Sequence, residues 1–190
     1  MTTPTKIQVP SFAWISLFLF LGACYEKPDF PLAPSISVDE NSLSKITEED
    51  PNTLSMQDVI TISINFRDGD GDLGLDEEDI VSPSLFQEFN QDGTFNENSR
   101  NYKLKVFFKQ GENFVPFPLP DPILGFNGRF QRLNEVDKAT PLEGVLNHEV
   151  IFRHNVIAPN TLLKFEVQIM DRALNLSNVT ETDTIRVRVQ

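Results

Sequence analysis

The chain of 190 residues carries one cysteine, one tryptophan, two tyrosines and two histidines, and each scarcity excludes something. A single cysteine forms no intrachain disulfide, so stability has to come from a packed core, which a chain of this length can bury. His148 and His154 fall short of the three or four ligands of a zinc site, and an isolated pair on one strand reads as structural. Lys and Arg number 16 against 28 Asp and Glu, for a net charge of −12. Basic clusters are missing, which excludes nucleic acid as a partner on charge grounds. No apolar run approaches the roughly twenty residues that cross a bilayer as a helix. A serine elbow, cysteine nucleophile, phosphate loop and zinc-protease helix are all lacking, so the chain is not expected to be an enzyme.

What is present begins near the N-terminus. Lys6 supplies a positive charge, Phe12 to Leu21 form an apolar stretch of signal-peptide length, and Gly22 and Ala23 are the small residues a cleavage site needs. The closing Leu21-Gly22-Ala23-Cys24 resembles the lipobox of bacterial lipoproteins at every position. That resemblance implies removal of residues 1–23 and acylation of Cys24, and several acyl chains on one residue anchor stably where one does not. Tyr25 is not the aspartate associated with inner-membrane retention, so the outer membrane is favoured, on its periplasmic or surface-facing side. Residues 25–33 hold two prolines and little periodicity, as an extended tether does. The expected organisation is therefore a signal peptide over 1–23, a lipidated cysteine and flexible tether over 24–33, and one β domain over 34–190.

That domain shows strand-like alternation at Ser35–Val38, Val59–Phe66, Tyr102–Phe108, Val145–Phe152, Leu163–Ile169 and Thr184–Val189. In the last, Ile185, Val187 and Val189 share one face, the half-buried antiparallel pattern. Helical periodicity is confined to short turns near Leu75–Ile80 or Ser84–Phe89. Short strands broken by Gly, Pro, Asn and Asp predict an all-β, immunoglobulin-like antiparallel β-sandwich with a long acidic B–C loop. The prolines of Phe114–Pro122 forbid a central strand and predict an edge or crossover segment. Phe107, Phe108, Phe126 and Phe130 are read as core.

The sharpest chemical signal is Asp68-Gly-Asp-Gly-Asp-Leu-Gly-Leu-Asp-Glu-Glu-Asp79, with acids at positions one, three, five, nine and twelve. This is the ligand spacing of EF-hand and related calcium loops. On an extended chain, alternate carboxylates sit about 6.6 Å apart, too far to share an ion. Gly69, Gly71 and Gly74 can take positive φ and curl the backbone until the acids converge. Leu73 stands where an EF-hand has glycine, Asp79 replaces the bidentate glutamate, and a strand rather than a helix precedes the loop. The segment thus resembles a calcium loop grafted on a β scaffold.

A second turn, Asp171-Arg-Ala-Leu-Asn175, resembles the Asp-x-Ala-Gly-Asn turn near the end of many bacterial immunoglobulin-like domains. In a sandwich of that type the two acidic segments lie at one pole. The candidate metal ligands are Asp68, Asp70, Asp72, Asp76, Asp171 and Asn175, with Ca²⁺ as the expected occupant. Lipobox and Phe66–Gly74 segment together resemble the small outer-membrane and surface lipoproteins of Gram-negative bacteria. The resemblance implies an anchored immunoglobulin-like domain and no particular activity. The expected function is a non-enzymatic binding or scaffold module, held to the membrane by its lipid and meeting a protein or glycan partner. The competing class is an accessory hydrolase or glycan-processing protein that uses the acidic loop.

Overall fold

The computed structural model describes residues 28–81, 83–118, 125–134 and 138–189. The signal segment and Cys24 lie outside the described residues. Nine strands follow in chain order: β1 (Ser35–Ser37), β2 (Leu43–Glu49), β3 (Met56–Asp68), β4 (Tyr102–Gln110), β5 (Asn113–Pro116), β6 (Leu142–Arg153), β7 (Thr161–Ile169), β8 (Thr180–Glu181) and β9 (Ile185–Val187). They make two antiparallel sheets. In the first, β1 and β2 follow one another along one side of β3, and β6 pairs with the other side. In the second the order is β5-β4-β7, with β8 and β9 both on the far side of β7.

The two sheets close over one core because their strands alternate. Ile60, Ile62, Ile64 and Phe66 of β3 and Leu146, Val150 and Phe152 of β6 face Tyr102, Leu104 and Val106 of β4 and Leu163, Phe165, Val167 and Ile169 of β7. Each fully buried isoleucine contributes about 1.5–3 kcal/mol. Phe126, Phe130 and Phe108 pack against this core as expected. Phe107 does not: it has the opposite parity from Val106 and Phe108, and Lys164 lies over its ring at 5.7 Å. β5 is an edge strand ending at Pro116, in line with the proline argument, and residues 119–124 of that segment lie outside the described residues. Among the described residues no helix is long and apolar enough to cross a membrane.

One expectation changes. The alternation of Thr184–Val189 stops at Val187 because Arg188 turns to φ 48° and gives its N–H to Asp58. In the long connection after β3, Leu75, Phe86 and Met170 form a small cluster with Ile80 against it, and the short 3-10 turn Glu78–Ile80 falls where a turn is expected.

Candidate metal centre

β3 carries its inward-facing row one step past the core: the residue after Phe66 on that face is Asp68, and it has no solvent exposure. The chain then turns sharply. Gly71 and Gly74 take φ of 72° and 94°, as the convergence argument requires. Gly69 serves differently. Its φ is not positive, but a Cβ there would collide with the Phe30 and Pro31 carbonyls, and its N–H donates to the Pro31 carbonyl at 2.9 Å. Residues 30–31 are therefore seated on the acidic loop. Leu73, in the place of the expected glycine, is fully buried and forms an isolated β-bridge with Asp171. That bridge fastens the second acidic turn to the first.

The result is a cluster in which carboxylate oxygens of Asp68, Asp72 and Asp171 all lie within 4.8 Å of one another. Oxygens bound to one Ca²⁺ at about 2.4 Å are separated by up to about 4.8 Å, so a single hard cation can touch all three. Donors within the protein do not account for the charge. Asp68 Oδ2 accepts from the Asp72 N–H at 3.1 Å, but Asp68 Oδ1, Asp70 Oδ1 and Asp72 Oδ1 are buried without a partner. Asn175 braces Asp171, giving its backbone N–H to Oδ1 at 2.7 Å and its side-chain amide to Oδ2 at 2.8 Å. A cleft of about 250 Å³ lined by Asp70, Gly71, Asp72, Asn134 and Lys138 opens beside the cluster.

Protonation follows from this geometry. Burial, then the charges of Asp70 and Asp72, pushes the Asp68 carboxyl up to about 7. Burial followed by Asp171 and Asp70 pushes Asp72 up to about 6. Burial also raises Asp171, against the opposing bonds from Asn175. Among the described residues no ion pair reaches any of these acids. The nearby arginines go to the outer ones: Arg172 pairs with Asp79 at 2.8 Å and Arg132 with Asp76 at 3.5 Å.

Of the residues singled out by sequence, Asp68, Asp72 and Asp171 come together, with Asp70 alongside and Asn175 holding Asp171 in place. Asp76 is drawn away by Arg132, and its N–H is bonded to Asp79. The two histidines occupy separate places. His148 stacks on Tyr102 with ring centroids 4.2 Å apart, and His154 Nε2 lies 3.3 Å from Asp58. Asp58 was not anticipated. It is a fully buried acid whose oxygens accept from Thr47 Oγ1 and the Arg188 N–H, each at 2.5 Å.

Fold and site together define a class: an all-β protein of two antiparallel sheets with a buried acidic cluster, able to hold a cation, where two loops meet. No family model matches the chain, and neither a curated protein nor a solved structure matches it at a significant level.

Proposed function

We propose that the chain is a lipoprotein anchored to the outer membrane through Cys24. Its folded part acts as a non-enzymatic binding or scaffold module, and Ca²⁺ holds its acidic pole in shape. The observation that carries this reading is the convergence of Asp68, Asp72 and Asp171, with Asp68 Oδ1 and Asp72 Oδ1 buried and met by no donor. Buried carboxylates repel unless protonated or bridged by a cation, and an all-oxygen donor set suits a hard one.

The strand order supports an immunoglobulin-like sandwich. With β1 and β2 as strand A, β3 as B, β4 as C, β5 as C′, β6 as E, β7 as F and β8 with β9 as G, the sheets read A-B-E and C′-C-F-G. The cluster then sits where the B–C and F–G loops meet. Pro31 lies seven positions beyond Cys24, so an anchored chain holds this pole within about 25 Å of the lipid.

Calorimetry and thermal melting of residues 24–190 in calcium and in chelator test the reading. We expect saturable heat of binding and a melting temperature raised by calcium, both lost in Asp68→Asn. Absence of both at millimolar calcium sinks the cation site. Metabolic labelling with a fatty acid, lost in Cys24→Ala, tests the anchor separately.

A further inference from the structure

The strand β6 ends the first sheet. Its twelve residues pair with β3 without interruption from Leu142 to Arg153. Among the described residues, no backbone group from Glu143 to Phe152 bonds to anything but β3. Edges of this length are ordinarily blunted by proline, lysine or a bulge. Here Leu-Glu-Gly-Val-Leu-Asn-His-Glu-Val-Ile-Phe-Arg has neither residue, and its continuous register has no bulge.

The sequence on its outward face says what fits. Odd-numbered residues of β6 point away from the core: Glu143, Val145, Asn147, Glu149, Ile151 and Arg153. In an antiparallel pair, opposite residues share a face, so two copies of β6 related by a twofold axis must pair residues of equal parity. With the axis at His148, Glu143 lies opposite Arg153, Val145 opposite Ile151 and Asn147 opposite Glu149. The neighbouring registers fail: an axis at Asn147 sets Val145 against Glu149, and one at Glu149 sets that residue against itself. Directly opposed like charges destabilise a sheet, whereas opposite charges and aliphatic pairs support it.

The rest of the sheet agrees with this register. Ile46, Val59 and Ile151 already stand in one row across β2, β3 and β6, with Ile46 64% and Ile151 50% exposed. A second copy adds its Val145, 60% exposed in the single chain, to the end of that row. At the rim, Arg153 is bound to Asp50 and Glu143 to Arg67, at 3.2 and 3.4 Å. Both side chains keep more than half their surface free, so pairing extends them into an alternating row of Asp50, Arg153, the second copy's glutamate and its arginine.

We propose that β6 is a homodimerisation edge, the occupant being a second copy paired about His148. The proposal is independent of the cation and the lipid. Residues 28–189 contain both sheets and the core, so residues 24–190 carrying Cys24→Ser suit the test. Sedimentation equilibrium should give a monomer–dimer equilibrium, shifted to monomer by Val145→Lys with Ile151→Lys, which opposes lysines across the axis at two exposed positions. Under oxidation Val145→Cys with Ile151→Cys should give a disulfide-linked dimer. Each cysteine alone should give little, and the two single variants mixed should give a heterodimer. A monomer at every concentration, a dimer indifferent to the lysines, or equal cross-linking by the single cysteines would each overturn it.

Discussion

Asp58 and Asp68 face the same interior from opposite ends of β3, both without solvent exposure, and only Asp58 has donors on both carboxylate oxygens. One strand thus carries a satisfied and an unsatisfied buried acid, and their removal should have opposite consequences. Burial opposes ionisation of Asp58, but bonds from Thr47 and the Arg188 N–H, with His154 at 3.3 Å and Lys45 at 3.7 Å, hold its carboxyl below the usual range.

Asp58→Asn puts an amide donor against donors and should cost about 3 kcal/mol of unfolding free energy. It should also loosen the C-terminal strand, whose Arg188 it anchors. Asp68→Asn relieves repulsion, so in chelator it should be at least as stable as the parent. In calcium at a hundredfold excess over Kd the parent should gain about 2.7 kcal/mol, and Asp68→Asn should gain nothing. Urea unfolding of the three proteins in chelator and in calcium measures all four differences.

Stability in chelator should fall as the solution becomes more alkaline. Asp68 titrates near 7 and Asp72 near 6 in the folded chain, against 3.8 as the ordinary value. The folded state therefore binds more protons than the unfolded one across that interval. The stability from these protons is full below about pH 4 and is lost as pH rises through 6 and 7. Half-buried His148 works the other way: its desolvation lowers its pKa from 6.5, so stability is lost as pH falls below that value. Melting curves from pH 5 to pH 8.5 should show an alkaline decline that calcium abolishes and that Asp68→Asn with Asp72→Asn flattens. An unchanged decline in the double variant refutes the assignment.

The paired sheets and the acidic loop were legible in the sequence because their signals are local. Alternation over Val59–Phe66 or Leu163–Ile169 reports burial of one face, and Asp68 to Asp72 with their glycines report a turn dense in carboxylates. What escaped depends on partners distant in the chain. β2 is mostly exposed and its alternation is weak, so only its register with β3 reveals it. Asp58 reads as an ordinary polar residue until Thr47, His154 and Arg188 arrive from three other segments. Asn178 exchanges both of its side-chain hydrogen bonds with the backbone of Ile36, standing in for a strand partner, and no spacing rule announces that. Asp76 fits the calcium-loop frame by position, but Arg132 draws it elsewhere.

Leu174 occupies the place of glycine in the Asp-x-Ala-Gly-Asn pattern, and it adopts φ 66°. A branched side chain in the left-handed region costs about 1–2 kcal/mol, and Leu174, 38% exposed, offsets only part of it by burial. Leu174→Gly should stabilise the domain by up to about 1 kcal/mol, the remainder being lost to the freer unfolded chain. Calcium affinity should rise or hold, since the Asp171 and Asn175 framework is relieved rather than altered. A lower melting temperature in Leu174→Gly contradicts the strain argument.

The segment 28–33 offers the most direct mechanical test of the acidic pole. Gly69 admits the Phe30 and Pro31 carbonyls where any Cβ would collide with them, and Arg67 lies 5.6 Å from the Phe30 ring centroid on the same stretch. Gly69→Ala should therefore detach residues 28–33 and break the bond from the Gly69 N–H to Pro31. The sheets should be left intact, because the collision involves no core residue. Gly93→Ala is the control: unlike Gly69 it sits at positive φ, 81°, but nothing lies within 4 Å of the added methyl group. Limited proteolysis should cut Gly69→Ala within residues 28–33 far faster than the parent or Gly93→Ala, and amide exchange at residue 69 should accelerate in parallel. Equal cleavage of the two alanine variants would show that residues 28–33 are not held by this contact.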